Sequence, residues 1–546
     1  MVSLLIGATV ATAIGCGAEH GPAGPTLTGG GAPDAAVSGG NNNGGGTGGN
    51  SGVVGNGGTG GNSGTGGADT SGGSGGQITP PSPDAGAPAG DAAVIDTPVA
   101  PRPDAATDTM APKPDMPLKP LPTLPWPAAN AIVAAVPAPT FPDRQCALDK
   151  YGGKGDGTTD NTAAFAAAIA DCNKMGGGHV VVPPGNYLTG AIALLDNIDL
   201  SVGTGATLLF SGDEASYPLV LTRYQGIELM NRSPMVYAYQ RQNIAVTGAG
   251  TLDATATASW NKTDATAFDM LVAWGDAGTP VKDRVLPDGV HLRSSTVMPY
   301  ASKKVLLQGF RVTGSPFWMI HPTLSSSVLV RDVSASATGT ETVGLVIESS
   351  DNVVVANGTF TTGSDCIALK SGRDADGRRV NAPSKNVVVV QARCQGSGGL
   401  ISIGSESTAG VQGVYGYDLG TTGTSIDNVV LVKSTPTRGG VVDSLFFDTV
   451  TASKLRGALL SVNLNFAGAM TGDFPPTVGA ATFSHVSVDG AARVISIAGM
   501  PAASPVGPIA ISDGTFINVT NAQSTLTNAM PVTYTRVTVN GSAPVP

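Results

Sequence analysis

Positive charge is scarce in this sequence of 546 residues. It has 30 Lys and Arg against 40 Asp and Glu, which gives a formal net charge of −10. Its basic residues form no stripe that would neutralise a row of nucleic-acid phosphates. Nucleic acid is therefore excluded as a partner.

The apolar run that opens the sequence, from Met1 to Ile14, is too short to span a bilayer, and no Lys or Arg precedes it. It ends in Ala13-Ile14-Gly15-Cys16, which resembles the lipobox of bacterial lipoproteins, whose cysteine becomes the lipidated N-terminus. We therefore predict a lipoprotein-type signal peptide at residues 1–16, lipidation of Cys16, and an extracellular or cell-surface location, lipid-anchored to the outer membrane. This anchor is the one membrane contact that we expect.

Aromatic residues are nearly absent between residues 17 and 140, and Val and Ile are few. This stretch is dominated by Gly, Asn, Ser and Thr, followed by Pro, Ala and Asp. It has too little apolar surface to offset the entropy lost on ordering, so we predict a disordered linker that serves as a tether. Nine acidic and three basic residues give it −6 of the formal charge, which leaves only −4 for residues 141–546.

Helical periodicity is rare in residues 141–546. Instead, short β-branched runs begin with Asn or Ser and end at Gly, Asp or Thr, as in Ser327-Val-Leu-Val-Arg, Asn352-Val-Val-Val-Ala and Asn386-Val-Val-Val-Val. From Lys304 onward the runs recur roughly every 25 to 35 residues, a period typical of solenoids, in which each coil packs on its neighbours.

Two other folds fit the pattern less well. A doubly wound sheet needs amphipathic helices between the strands, whereas the gaps contain Gly, Ser, Thr and Asn. A sandwich of antiparallel hairpins remains an alternative, although two-residue Asn-Gly connections are scarce. One helix is predicted, over Thr158–Cys172 and ending before Gly176, and it would cover the first coil of the solenoid.

Cysteine is also rare, with five residues in the chain. In an oxidising compartment the four that remain after Cys16 invite pairing. Cys146 and Cys172 flank the first amphipathic segment and are a plausible pair. Cys366 and Cys394 each lie in an apolar strand, where a disulfide and two buried free thiols are both open.

Metal-ligand spacing is missing around the histidines His179, His291 and His485. We therefore predict neither a metal ion nor another cofactor.

Several segments resemble one enzyme family. The stretches Gly152-Gly-Lys-Gly-Asp-Gly-Thr-Thr-Asp-Asn-Thr and Gly176-Gly-Gly-His-Val-Val-Val-Pro-Pro-Gly-Asn-Tyr look like the first coil of pectin-degrading β-helices. Further on, Ser315-Pro-Phe-Trp-Met-Ile-His-Pro322 and Lys370-Ser-Gly-Arg-Asp-Ala-Asp-Gly-Arg-Arg379 are similar in order and spacing to bacterial polygalacturonases of glycoside hydrolase family 28. The resemblance implies an all-β fold for residues 141–546, a single-stranded right-handed parallel β-helix of the pectin-lyase-like kind with an N-terminal capping helix.

The resemblance also implies an activity, the inverting cleavage of α-1,4-linked galacturonan by three aspartates on neighbouring coils. Inversion needs one protonated carboxylic acid and one carboxylate that activates water, held roughly 6.5 to 9.5 Å apart.

The sequence departs from the family at most of these positions. Val343 and Ser364 stand where the resemblance implies aspartates, and Asp365 is retained. No histidine occurs in Gly396–Ser405, where a Gly-His-Gly element belongs. An Arg-x-Lys element for the substrate carboxylate matches Leu431-Val-Lys433, so the lysine is kept and the guanidinium is lost.

Two carboxylates are the catalytic candidates, Asp365 and Glu341. Glu341 lies two residues before Val343, and residues i and i+2 of a strand share a face, so its carboxylate is expected in the same groove as Asp365. A solvated glutamate and a turn aspartate are the alternatives. The substrate-binding candidates are Lys433, Lys370, Arg373, His321, Arg223 and Arg293. An ordinary charged loop, a structural histidine and buried ion pairs compete with that interpretation.

The sequence therefore predicts a monomeric, polygalacturonase-like glycoside hydrolase that acts on galacturonan (pectin) or a related acidic polysaccharide. The alternative is a catalytically inactive, surface-anchored β-helix that binds polysaccharide in the same groove. A lyase is a third possibility, but the basic residue or metal site that it needs is not found.

Overall fold

The computed structural model describes residues 120–423, 426–468 and 471–544. The predicted signal peptide with Cys16, and the linker as far as residue 119, lie outside the described residues. Within the described ranges four α-helices are present, none of which is both long and apolar enough to cross a bilayer. They are α1 (Pro127–Ala135), α2 (Thr162–Lys174), α3 (Ala267–Asp276) and α4 (Asp374–Val380).

Short strands make up most of the described chain. In chain order they are β1 (Gln145–Ala147), β2 (Asp156–Asp160), β3 (Gly178–Val182), β4 (Gly185–Thr189), β5 (Ile192–Ala193), β6 (Ile198–Val202), β7 (Ala206–Phe210), β8 (Leu219–Tyr224), β9 (Ile227–Arg232), β10 (Val236–Tyr239), β11 (Gln242–Thr247), β12 (Thr251–Asp253), β13 (Val297–Tyr300), β14 (Lys303–Gln308), β15 (Arg311–Thr313), β16 (Ser326–Arg331), β17 (Ser334–Ser336), β18 (Leu345–Glu348), β19 (Asp351–Ala356), β20 (Thr359–Thr361), β21 (Ile367–Lys370), β22 (Ser384–Val390), β23 (Arg393–Gln395), β24 (Gly399–Ile403), β25 (Val411–Thr421), β26 (Asn428–Lys433), β27 (Val441–Ser453), β28 (Ala458–Asn463), β29 (Thr477–Val478), β30 (Ala481–Ala491), β31 (Arg493–Ala498), β32 (Ile509–Val519), β33 (Thr525–Thr527) and β34 (Val532–Val539).

Strands of successive coils pair in parallel along three faces of a solenoid. Sheet 1 runs β1–β3–β6–β11–β14–β16–β19–β22–β25–β27–β30–β32–β34. Sheet 2 runs β2–β4–β7–β12–β15–β17–β20–β23–β25. Sheet 3 consists of β5–β10–β13 and β18–β21–β24–β26–β28–β31–β33, joined by bridges through Ile320 and Thr323. The prediction of a parallel β-helix is confirmed, and β8 and β9 add an antiparallel hairpin.

The β-branched runs fill the interior because the coils stack in register. Val328, Val353 and Val387 lie opposite one another on neighbouring strands of sheet 1, and all three are fully buried. The residue that starts each run turns the chain into the sheet with a positive φ, 55° at both Asn352 and Asn386. Asparagine tolerates this left-handed conformation better than most residues, which explains why Asn recurs at this position.

Helix α2 covers the first coil, as predicted. Phe165 and Ile169 are buried against the interior, and a disulfide joins Cys172 to Cys146 of β1. The helix begins at Thr162 and not at Thr158, because residues 156–160 form β2. The second cysteine pair, which the sequence left open, is also a disulfide, between Cys366 and Cys394.

The folded part begins earlier than the predicted boundary at residue 140. The outward face of sheet 1 has a row of apolar residues, among them Leu306, Leu329 and Val354, and the segment around α1 packs on this row. The ring of Trp126, at the start of α1, lies 5.6 Å from the ring of Tyr415. The assignment of residues 120–140 to the linker is therefore wrong. Their few apolar side chains pack on a face of sheet 1 that exists only once the coils have folded.

Candidate functional site

A cavity of about 310 Å³ lies on the outer side of sheet 3, where β21, β24 and β26 neighbour one another. We call it the groove. Its lining includes Trp318, Glu341, Val343, Ser364, Asp365, Lys370, Arg373, Glu406, Lys433, Arg438 and Phe466. The β-helix therefore brings together both predicted carboxylates and three of the six predicted binding residues, from coils up to 92 positions apart in the chain.

Asp365 is buried at the floor of the groove, two residues before β21. One carboxylate oxygen accepts hydrogen bonds from the Ser402 hydroxyl, at 2.6 Å, and from the Gly399 amide, at 2.9 Å. The other lies 2.9 Å from the Lys433 ammonium. Gly398 leaves room for this arrangement, since a Cβ at that position would lie 2.2 Å from the carboxylate. Asp365 is thus bound on both oxygens.

These contacts decide the charge of Asp365. Burial alone would raise the pKa of Asp365, but the Lys433 ammonium and the hydrogen bonds from Ser402 and Gly399 outweigh burial and hold that pKa below its ordinary value. Burial would lower the pKa of Lys433, and the Asp365 carboxylate reverses this and raises it. Asp365 is therefore a carboxylate at neutral pH and has no proton to give to a leaving group.

Glu341 reaches the groove by a different route from the one that the sequence suggested. It lies in a turn before β18, not in a strand, so the alternation of strand side chains does not place it. Its side chain is 42% exposed, and its carboxylate forms an ion pair with Arg293. Arg293 therefore meets the groove through Glu341, while Val343 packs into an apolar cluster with Phe317 and Trp318.

Cations surround the rest of the groove. The Lys370 ammonium donates to the Gly404 carbonyl and to Glu406, and lies 5.2 Å from the centre of the Trp318 ring. Arg373 lies between Glu406 and Asp374, with distances of 3.9 and 3.4 Å.

A third groove carboxylate, Glu406, was missed by the sequence analysis. Burial would raise the pKa of Glu406, but Lys370 and Arg438 keep it well below the ordinary value. Arg438, which also pairs with Asp374, was missed as well. Both residues follow sheet 3 strands in loops of ordinary polar composition, and only the stacking of coils brings Glu406 to Lys370 and Arg438 to Asp374.

Two predicted binding residues are placed too deep to touch a ligand. His321 is fully buried, with one ring nitrogen 3.0 Å from the Ser295 hydroxyl and the other 3.0 Å from the Glu348 carboxylate. Burial lowers the pKa of His321, against the pull of Glu348. Arg223 is likewise buried and lies 3.6 Å from Glu348. The contacts of both residues link coils of sheet 3 beneath the groove, which fits the structural alternative.

The groove can hold an anion but is poorly equipped to donate a proton. Asp365 and Glu406 are ionised and paired, and Ser364 and Val343 have no carboxyl group. Glu341 is the remaining carboxyl group of the lining, and it pairs with Arg293. In the described part of the chain no group of His, Cys, Asp and Glu side chains has the geometry of a metal site.

The structure is thus a parallel β-helix, a solenoid with a groove lined by charged side chains on the outer face of one sheet. The family model for glycosyl hydrolases family 28 matches residues 172–466. The chain belongs to this family.

Individual relatives agree with this assignment. The chain is 25% identical over 323 residues to a probable polygalacturonase of Vitis vinifera, covering 57% of this chain and 61% of the relative. It is 27% identical over 355 residues to an exo-poly-alpha-D-galacturonosidase of Dickeya chrysanthemi, covering 59% and 57%. The chain thus spans about three fifths of the length of these curated relatives.

A solved structure covers more of the fold. The exopolygalacturonase of Thermotoga maritima superimposes with a TM-score of 0.70 at 32% identity, over 76% of this chain and 96% of that one. A polygalacturonase of Erwinia carotovora ssp. carotovora shares the fold, with a TM-score of 0.52 at 19% identity. The handedness of the β-helix and its all-β class agree with the prediction.

Proposed function

We propose that this chain is a polygalacturonase-like protein that takes up galacturonan (pectin), or a related acidic polysaccharide, in the groove. Its relatives are polygalacturonases and exopolygalacturonases, and the groove is lined by four cationic side chains, Lys370, Arg373, Lys433 and Arg438. The lining holds these four cations against three carboxylates, Glu341, Asp365 and Glu406. A small excess of positive charge suits a polymer that carries a carboxylate on each sugar.

We propose further that the groove binds this polymer without the hydrolysis typical of the family. One observation carries this step: Asp365, the retained family aspartate, is held as a carboxylate by Lys433, Ser402 and Gly399. Inverting hydrolysis needs a protonated acid beside a carboxylate base, and the family's acid position is Ser364.

Hydrolysis by a different pair is the second candidate function. Glu341 and Asp365 line the same groove, so Asp365 as base and Glu341 as acid would be the pair to test. The Arg293 guanidinium opposes this assignment, because its ion pair with Glu341 occupies the carboxyl group that would have to meet the leaving oxygen.

Release of reducing ends from polygalacturonate separates the two functions. We expect polygalacturonate embedded in a gel to retard the native chain. We also expect the native chain to release reducing ends no faster than Asp365→Asn and Glu341→Gln, with an active family 28 enzyme as the positive control. Release by the native chain that both substitutions abolish would establish the hydrolase. A product absorbing in the ultraviolet would instead indicate β-elimination by a lyase.

We also propose that the protein is displayed outside the cell as a monomer on a lipid anchor at Cys16. The support is the sequence Ala13-Ile14-Gly15-Cys16 and the long Gly/Asn-rich stretch that follows it. Cys16→Ala is expected to move the protein from the outer-membrane fraction to a soluble fraction, while Cys16→Ala and native β-helices melt at the same temperature. Unchanged fractionation would contradict the anchor.

A further inference from the structure

A second cavity, of about 340 Å³, continues from the groove over the next coils of sheet 3. The two cavities share Lys433 and Phe466, so a ligand that fills the groove can extend into the second one without leaving the surface. The side chains of the second cavity that matter here are Leu431, Arg456, Ser461, Asn463, Arg493 and Ser496.

Strand register explains why this cavity is open. Leu431, Ser461 and Ser496 lie opposite one another on β26, β28 and β31, and they face outward, since their neighbours Val430, Leu460 and Ile495 fill the interior. The two serines are small and leave space above the sheet. Asn463 lies opposite Lys433 on the next strand and adds an amide at the junction of the two cavities.

The charges in the second cavity are unbalanced in favour of cations. Lys433 is already paired with Asp365, and Arg456 and Arg493 face one acidic side chain of the lining, Asp427. Arg456 pairs with Asp427 through Nε, at 2.7 Å, and its Nη2 donates to the Ser397 carbonyl at 2.9 Å, which leaves Nη1 for a ligand. Arg493 donates to the Gln523 carbonyl at 3.3 Å, and among the residues that the structure describes no carboxylate is paired with it. Its guanidinium is thus available to an external anion.

We infer that Arg456 and Arg493 form a second carboxylate-binding subsite, which takes a uronate of the same chain that Lys433 binds. The inference rests on the proposed function and specifies the ligand. The ligand is an acidic oligosaccharide that reaches from the groove into the second cavity, with a free carboxylate on the sugar unit that lies there. Because residue 431 is a leucine, β26 has no guanidinium at this point. The two following coils each supply one, from Arg456 just before β28 and from Arg493 at the start of β31.

The subsite gives a length-dependent and charge-dependent affinity. A planar guanidinium fork matches a carboxylate with two parallel hydrogen bonds, and a neutral ester loses the charge that strengthens them. Removing both arginines should therefore weaken the binding of longer galacturonate oligomers by about 10- to 100-fold and leave galacturonic acid itself unaffected.

Calorimetric titration of the full chain with galacturonic acid and with galacturonate oligomers of two to six units tests this subsite. We expect affinity to rise with length in the native chain, and this rise to be lost in Arg456→Gln/Arg493→Gln and for the methyl-esterified oligomers. Arg493→Lys should recover only part of it. Arg536→Gln is the matched control, since Arg536 is 69% exposed on β34 of sheet 1 and pairs with Asp513.

Each outcome has a separate meaning. If the native chain binds no galacturonate oligomer, the proposed function is overturned and the subsite with it. If the native chain binds the oligomers and the double variant binds them equally well at every length, the subsite is overturned and the proposed function stands. If esterified and free oligomers bind alike, a carboxylate subsite is also overturned. Melting temperatures of all variants distinguish a lost contact from a lost fold.

Discussion

Lys433→Met is expected to destabilise the β-helix by about 3 to 5 kcal/mol and to weaken galacturonan binding at least 100-fold. Lys433 is the partner of a buried carboxylate, 2.9 Å from Asp365, and lies at the junction of the two cavities. Methionine keeps the length of the side chain and removes the charge, so Asp365 is left as an uncompensated buried anion. Thermal unfolding and calorimetric titration with polygalacturonate measure the two effects.

The double variant Asp365→Asn/Lys433→Met separates stability from binding. Replacing both members of a buried ion pair with neutral side chains of similar size removes the unpaired charge, so most of the lost stability should return. Binding should not return, because the cation that meets the ligand is still absent. A double variant that binds as tightly as the native chain would show that Lys433 serves the fold alone.

The stability of the native chain and that of Lys433→Met should depend on pH in different ways. In the native chain the pKa of Asp365 is lowered on folding, so its contribution to stability is present above the unfolded value, about 3.9, and is lost as the pH falls through the lower folded value. In Lys433→Met, burial without a partner raises the pKa of Asp365, and protonation relieves the penalty. The difference in melting temperature between the two proteins should therefore shrink between pH 7 and pH 4.

The fold was predictable because its signal is local and repeated. Runs such as Asn352-Val-Val-Val-Ala contain both the turn residue and the buried strand. Each coil packs only on its neighbouring coils, so no long-range information is needed to predict it. The segment around Trp126 carries no such repeat, and its Pro and Ala content is typical of a linker. Its order depends on an apolar row of sheet 1 assembled from distant coils, which periodicity cannot reveal.

The site was predictable only where the family motifs survive. Asp365, Lys370 and Lys433 were found in this way, and all three line the groove. The partners of these side chains could not be predicted. Ion pairs such as Lys370 with Glu406 join side chains 36 positions apart and depend on the length of each turn between coils. Motif matching also cannot report depth, and the structure buries His321 completely.

The groove therefore combines Lys433, which we propose meets the ligand, with Asp365, which the same lysine holds in place. Under that proposal the ion pair between Lys433 and Asp365 stabilises the fold as well as positioning the cation that binds. The stability of the floor of the groove and its affinity for an anion should then respond together to any change that displaces Asp365.

The Cys366–Cys394 disulfide offers such a change, because Cys366 directly follows Asp365. Cys366→Ala/Cys394→Ala opens a loop with a sequence separation of 28 residues, for which chain entropy gives a loss of about 3.5 kcal/mol. We expect a lower melting temperature and, in addition, weaker polygalacturonate binding, since the floor of the groove is no longer tied to the next coil.

The disulfide of the capping helix is the matched control for this experiment. Cys146→Ala/Cys172→Ala opens a loop of nearly equal separation, 26 residues, at the first coil of the β-helix, where no groove residue lies. Chain entropy predicts a similar loss of stability for both double variants. At a temperature where both remain folded, only Cys366→Ala/Cys394→Ala should lose affinity in calorimetric titration. Equal affinities would mean that Lys433, Ser402 and Gly399 hold Asp365 in place without the covalent bond beside it.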